Sequence, residues 1–459
     1  MNKFTHTAAC AKTFFLLAGV IAMAAFSSAA SALPLFARQT GMVCSACHFQ
    51  HFPMLNGFGR AFKSAGFTMM GVAQGKVEGE GLAIPNTLNM AVLATSGYER
   101  TNQASSLSPQ KTTGDGAFYV PGTGGELSVF FGGRISEYAG FLSEIGTGGS
   151  VSGTVVSGSH SSAKLPVLFP LSVSKLPEGT LVGFVPFSTD DHGASYGFEV
   201  LNTGANVVDQ MSPVPGLNGA HNAALSAQQF IGTAGAATGV ALVANSSGGF
   251  INLTKYNQSG IAGGTLAALS SNYLRAAVMF DLAGWDAGAG IQVWGGNSAE
   301  HSDGIYQYAD TRARAVDAQF QGKIGDTPVG FYASYATAPA GTNTYNRDPA
   351  ATLINLTATT PVPVYGSATR SAFNLSAEMG VIPDKATLGF AVRSGRSGVA
   401  IGGLSNASDN AITLLATYKL AQNLMASLSL TSASGGYWDA AHQNALGSAT
   451  TTINLFALF

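Results

Sequence analysis

From about residue 85 to the end of the chain, apolar and polar side chains alternate. In TTINLFALF, Ile453, Leu455, Ala457 and Phe459 fall on one face, and Thr452 and Asn454 on the other. NLMASLSLT sets Leu424, Ala426, Leu428 and Leu430 opposite Met425, Ser427 and Ser429. GELSVFFGGRIS sets Leu127, Val129, Phe131 and Ile135 against Glu126, Ser128 and Arg134. YLRAAVMFDLAG sets Leu274, Ala276, Val278 and Phe280 against Arg275 and Asp281. Successive side chains of a strand point to opposite faces, so this period of two predicts strands with one apolar and one polar side. Sixteen segments fit: 87–96, 126–135, 139–146, 162–172, 179–188, 236–244, 249–257, 272–282, 287–296, 312–322, 327–337, 369–380, 385–394, 411–420, 423–432 and 449–459. Pro166 and Pro170 weaken the fourth, because proline cannot donate to a ladder.

Tight turns join the segments in pairs, at 136–139, 176–179, 245–248, 284–287, 325–327, 383–385 and 421–423. Longer loops lie between the pairs, at 97–124, 147–161, 189–235, 338–367 and 434–448. Short turns alternating with long loops predict a transmembrane β-barrel whose short turns face the periplasm, and an even strand number puts both barrel ends there. Charges in the strand middles fall opposite the apolar face: Arg134, Glu144, Arg275, Asp281, Asp317, Glu378, Arg393 and Lys419. They are read as residues that solvate a polar lumen or pair within it. A soluble sandwich would alternate too, but with more charge on its outer faces. The expected fold is all-β, a 16-stranded antiparallel outer-membrane β-barrel over residues 85–459. A small α-helical domain precedes it.

Composition supports this picture. Only 10% of residues are charged, against about 25% in soluble domains. Glycine supplies 58 of 459 residues, well above the usual ~7%. The 46% hydrophobic content argues against disorder. With a formal charge of −2 and no basic stripe, the chain offers nucleic acid no electrostatic footprint. Asp190, Asp191, His192 and Asp209 are read as ordinary polarity of a long loop, without tight metal-ligand spacing.

Residues 1–32 read as a secretory signal. Lys3 and Lys12 start it, Phe14 to Phe26 form its apolar core, and Ala30-Ser31-Ala32 makes a small-residue cleavage site. The apolar run is shorter than the ~20 residues a spanning helix needs. Cys10 would leave with the leader, and the mature chain would hold only Cys44 and Cys47.

Those two cysteines lie in VCSACHFQHFPMLNGFGRAFKSAGF, residues 43–67. C-x-x-C-H is the attachment signature of c-type haem. Thiols three apart on one helical turn can both reach the vinyl groups of one porphyrin, and His48 is then carried to the iron as the proximal ligand. A thioredoxin-like pair would want a βαβ surround that is not visible. One motif implies one covalently bound haem c over residues 33–70. Candidates for the sixth ligand are Met42, His51, Met54, Met69 and Met70. His51 and Met54 share the helix of His48, whereas Met69 or Met70 follow a break at Gly66 and can return over the other face. Phe36, Phe52 and Phe58 give aromatic cover, as do Phe62 and Phe67. Arg38, Arg60 and Lys63 are candidates for the propionates.

Residues 71–84 read as a Gly-rich linker without strong structure. It is short enough to let the haem domain plug the periplasmic end of the lumen. A barrel's apolar band is about 25 Å tall, so a single haem relays electrons across it only from inside. FARQTGMVCSACHFQHFPMLNGFGRAFKSAGF, Phe36 to Phe67, resembles the opening of the fused outer-membrane monohaem cytochrome–porins. The FARQTG run, the haem motif, Phe52-Pro53, and Phe58-Gly59-Arg60 with Phe62-Lys63 carry the likeness. The sixteen strands and terminal Phe459 extend it. The resemblance implies an Fe(II)-oxidising outer-membrane cytochrome, taking electrons from extracellular Fe(II) or another donor to a periplasmic cytochrome. Two alternatives stay open: a conduit with a different donor or acceptor, and a solute porin with an accessory haem domain.

Overall fold

The computed structural model describes residues 34–71, 74–79, 82–86, 88–102, 116–147, 159–203, 205, 211, 223–258, 268–302, 305–347, 365–401, 404–440 and 448–459. The leader, Cys10 and Asp209 lie outside the described residues.

Sixteen antiparallel staves close into one barrel. They are β1 Met90–Thr101, β2 Leu127–Arg134, β3 Gly140–Thr147, and β4, made of Ser159–Lys164 and Val167–Pro170. Next come β5 Leu181–Thr189, β6 Ala237–Ser246, β7 Gly249–Asn257, β8 Ser271–Leu282 and β9 Trp285–Ser302. Then follow β10 Ala313–Ile324, β11 Thr327–Ala338, β12 Arg370–Ile382 and β13 Ala386–Arg396. β14 Asn410–Ala421, β15 Leu424–Ser434 and β16 Ala449–Leu458 complete the wall. β16 pairs with β1 in the register Ile453↔Tyr98, which closes the sheet and leaves no edge. The expected break falls in β4, whose two pieces are separated at Leu165 and Pro166.

Alternation sorts the faces. In β12, Phe373, Leu375 and Met379 are exposed on the outside, and Asn374, Ser376 and Glu378 are buried inside. Leu242, Leu253, Val278, Val316, Ile412 and Ile453 continue the outer apolar surface. That surface is the lipid-facing band of a membrane barrel. The turn after β8 is Ala283–Gly284, both at positive φ, and the Asp281 carboxylate accepts the Gly284 N–H. Asp281 is exposed and pairs with Asp286 at the turn end of β8, and so does not sit in a strand middle. The other predicted inward charges face the interior, with Arg275, Asp317, Glu378 and Arg393 buried.

Two segments fill the lumen. At the short-turn end lie the helices α1 Pro34–Thr40, α2 Cys44–Cys47 and α3 Gly57–Ser64. They contact the wall at Asp286, Gln321 and Glu378, all near short turns. From the long-loop end, the connection between β5 and β6 folds inward. Ala194–Gly197 makes a turn of 3-10 helix, and α4 spans Ala227–Phe230. Glu199 of this luminal loop and Asp317 of β10 hold Arg275 of β8 between them, at 2.8 and 2.6 Å. The reading of inward charges as partners for one another fits this network. In place of the structureless linker, Lys76–Gly79 and Leu82–Pro85 form a small hairpin with Val77 opposite Ile84.

Candidate functional site

α2 is a single turn. The His48 N–H donates to Cys44 O at 2.8 Å, so both thiols and the imidazole leave one loop of backbone. Asn56 sutures this turn to α3. Its Nδ2 donates to Ser45 O and Ala46 O at 3.1 and 3.0 Å, and its Oδ1 accepts the Gly59 N–H at 3.0 Å as an N-cap. The helices touch at Gly59, where a Cβ would stand 2.0 Å from Cys47 O. Glycine is required there by space.

Cys44 and Cys47 are thiols and not a disulfide. Burial, and then Cys44, pushes the Cys47 thiol up to about 11. Burial holds the His48 imidazole down at about 4, so it is neutral. Its Nδ1 donates to Met54 O at 3.1 Å, since a carbonyl only accepts. The lone pair is thereby left on Nε2, the arrangement that orients a metal-ligating histidine.

Cys47 and His48 line a largely apolar cavity of about 160 Å³. Phe36, Phe52, Phe62 and Phe67 line it from the N-terminal segment, and Phe130 and Leu142 from the wall. Cys44 lines a smaller cavity of about 50 Å³ that shares His48, Phe52 and Leu458 with the first. The residues present therefore fit a covalent haem: two thiols on one turn, an oriented imidazole and apolar walls.

The structure brings some candidates together and separates others. Phe36, Phe52, Lys63 and Met42 line the large cavity. Arg38 is exposed and donates to Met90 O. Phe58 is exposed and does not line the cavity. Arg60 is buried and spent on the wall: it pairs with Asp286 and donates to Gln321 Oε1 at 2.8 Å. Neither Arg38 nor Arg60 lines the cavity. Met69 is exposed, and neither it nor Met70 lines the cavity. Gln39, fully buried, holds Met69 O and Phe67 O through its Nε2.

His51 is a wall anchor. Its Nδ1 contacts Phe52 O at 2.7 Å and its Nε2 contacts Glu378 Oε2 at 2.8 Å. Both partners accept, so the ring carries both protons. Burial pulls His51 down, but Glu378 more than offsets this and leaves it above its ordinary value.

Sequence reasoning missed the opposite contributor. His192 and Tyr196 of the luminal loop line the same cavity, as do Glu144 and Lys164 of the wall. His192 Nε2 lies 3.3 Å from Asp191 Oδ1 and 3.9 Å from Glu144 Oε2. Burial lowers this imidazole, and Asp191 and then Glu144 raise it further, to a net position above its ordinary value. No local spacing signals the position, because it depends on the loop folding inward.

The chain matches no protein-family model and no curated protein. Among solved structures it is similar to OmpF of Salmonella typhi in complex with daunomycin, at 12% identity and a TM-score of 0.45, covering 84% of this chain and 100% of that one. It is similar to the outer-membrane channel DcaP of Acinetobacter baumannii at 11% identity and a TM-score of 0.44, with the same coverage. It is also similar to the anion-selective porin of Comamonas acidovorans, at 12% identity and a TM-score of 0.41, covering 81% of this chain and 99% of that one.

Proposed function

We propose that this chain is an outer-membrane c-type cytochrome built into a porin-like barrel, passing electrons from an extracellular donor, Fe(II) foremost, to a periplasmic carrier. The observation that carries the reading is the cavity shared by Cys47 and His48 inside the short-turn mouth, with His48 Nε2 left without a proton. Short turns face the periplasm, which puts these residues within reach of periplasmic proteins. When bound, haem c supplies a one-electron iron couple. Cys44 and Cys47 hold it as thioethers, His48 ligates it, and the phenylalanines exclude water. Each turnover moves one electron: an extracellular Fe(II) becomes Fe(III), and the periplasmic acceptor is reduced by one unit.

The test is stopped-flow absorbance of the oxidised, detergent-solubilised protein mixed with Fe(II). Rapid growth of the reduced haem bands is expected. A haem that is present and stays oxidised would sink the iron reading and leave a conduit with another donor.

A second reading is a solute porin with an accessory haem domain, favoured by barrel size, since sixteen strands can leave an aqueous channel. Planar-bilayer conductance separates the two. The filled lumen predicts low conductance, and porin-like ion flow would favour the second reading.

A further inference from the structure

We infer that His192, carried on the luminal loop of the barrel, is the second axial ligand of the haem. The inference rests on the reading that Cys44, Cys47 and His48 hold that haem.

Four observations converge on this residue. His192 lines the same cavity as His48 but comes from a different part of the chain. It is only 4% exposed, and its Nδ1 is buried with no hydrogen-bond partner among the described residues. Buried polar atoms are nearly always satisfied, so an orphaned one at a cavity wall needs a function. The other nitrogen, Nε2, lies 3.3 Å from Asp191 Oδ1 and 3.9 Å from Glu144 Oε2, and these carboxylates favour the proton on that side of the ring. Outer-sphere carboxylates of this kind fix the tautomer of a metal-bound imidazole and raise its basicity. Metal binding then displaces any proton on Nδ1.

The ring is also held in place. It stacks on Tyr196 with centroids 4.9 Å apart and planes 15° from parallel. The His192 N–H donates to Thr189 Oγ1 at 3.1 Å. Lys164 Nζ, also at the cavity, donates to Tyr196 O at 3.1 Å and lies 4.2 Å from the tyrosine ring centroid.

The rivals are weaker. Both nitrogens of His51 are engaged. Met69 and Met70 do not line the cavity. Met42 does line it but is 40% exposed at its mouth. Ligation by His192 would tie the N-terminal segment to the loop that enters from the other end of the barrel.

The experiment uses the full mature chain, purified in detergent with its haem. Haem staining of a denaturing gel comes first, and a chain without covalent haem overturns the reading of the site and this inference together. With haem present, near-infrared magnetic circular dichroism of the unaltered protein reads the axial pair directly. A bis-imidazole signature is expected, and a histidine–methionine signature overturns the assignment of His192 while leaving the haem reading intact. His192→Ala should convert the oxidised haem from low spin to high spin, with low spin restored by added imidazole. His192→Met should restore low spin with a raised reduction potential, because a methionine ligand raises it. An unchanged spectrum in His192→Ala, or loss of the low-spin signal only in Met42→Leu, overturns the inference.

Discussion

Asn202 satisfies both backbone hydrogen-bonding groups of Leu55. Its Oδ1 accepts the Leu55 N–H at 2.8 Å, and its Nδ2 donates to Leu55 O at 2.7 Å. One side chain of the luminal loop thus joins the two segments that fill the barrel from opposite ends. Asn202 itself is held by Gln319 of β10, whose Oε1 accepts its N–H at 2.7 Å. Removing the amide in Asn202→Ala strands the Leu55 N–H, which costs about 1–3 kcal/mol when left unmet, while Leu55 O keeps the Arg60 Nη1 donor at 3.0 Å. The expected outcome is a lower melting temperature of the N-terminal segment and faster protease nicking within residues 34–71, while the barrel stays intact. Wild-type nicking in this variant would mean that the other anchors suffice.

Gly59 sets how closely α3 lies on the haem-motif turn. A methyl group there would meet Cys47 O at 2.0 Å, and backbone on both sides leaves little room to yield. Overpacking of this kind costs about 1–3 kcal/mol. Gly59→Ala should lower stability and reduce the ratio of haem to protein absorbance in purified material. A variant with full haem content and an unshifted melting curve would show that α3 slides freely over Cys47.

The His51–Glu378 pair predicts a pH dependence of the N-terminal anchor. The folded imidazole is held above its ordinary value, so protons are bound more tightly in the folded than in the unfolded state. The stability it contributes is complete below about pH 6.5, the ordinary histidine value. It is lost as pH rises through the elevated folded value. Protease resistance of residues 34–71 should therefore decline with rising pH, and His51→Gln should flatten that decline. Resistance that rises with pH in the parent protein would contradict the sign.

Much of the barrel is legible in the chain because a strand's period of two is a local property. Each stave runs close to its expected range, and even the break beside Pro166 follows from a missing donor. The single turn that carries Cys44 and Cys47 is legible for the same reason, since the spacing is a property of one helical turn. What escapes is non-local. Residues 189–235 show no period, and the inward course of the described ones among them depends on pairs such as Glu199 with Arg275, 76 positions apart. His192 reads as loop polarity because nothing nearby in sequence says that the loop returns to the cavity. The wall contacts of Arg60 escape for the same reason, because its acceptors, Asp286 and Gln321, lie far along the chain.

Arg275 keeps the luminal loop seated. Its guanidinium spans Glu199 and Asp317, Thr203 Oγ1 donates to Asp317 at 2.7 Å, and Glu199 Oε1 accepts the N–H groups of Val200 and Leu201 at 2.9 Å. Arg275→Ala leaves two buried carboxylates facing each other without their cation. Breaking a buried ion pair by removing one partner costs about 3–5 kcal/mol, and the cheapest relief is for the loop to leave the lumen and let water in. Single-channel conductance in a planar bilayer should therefore rise well above that of the parent protein, along with a fall in melting temperature. Combining Arg275→Met with Glu199→Gln and Asp317→Asn removes the cation and both charges together, while the amide oxygen that replaces the Glu199 carboxylate still accepts the two loop N–H groups. That triple variant should close the channel again. A conductance in Arg275→Ala equal to the parent's would mean that the loop holds its place by packing alone, and the ion pairs would then be a consequence of the seated loop and not its cause.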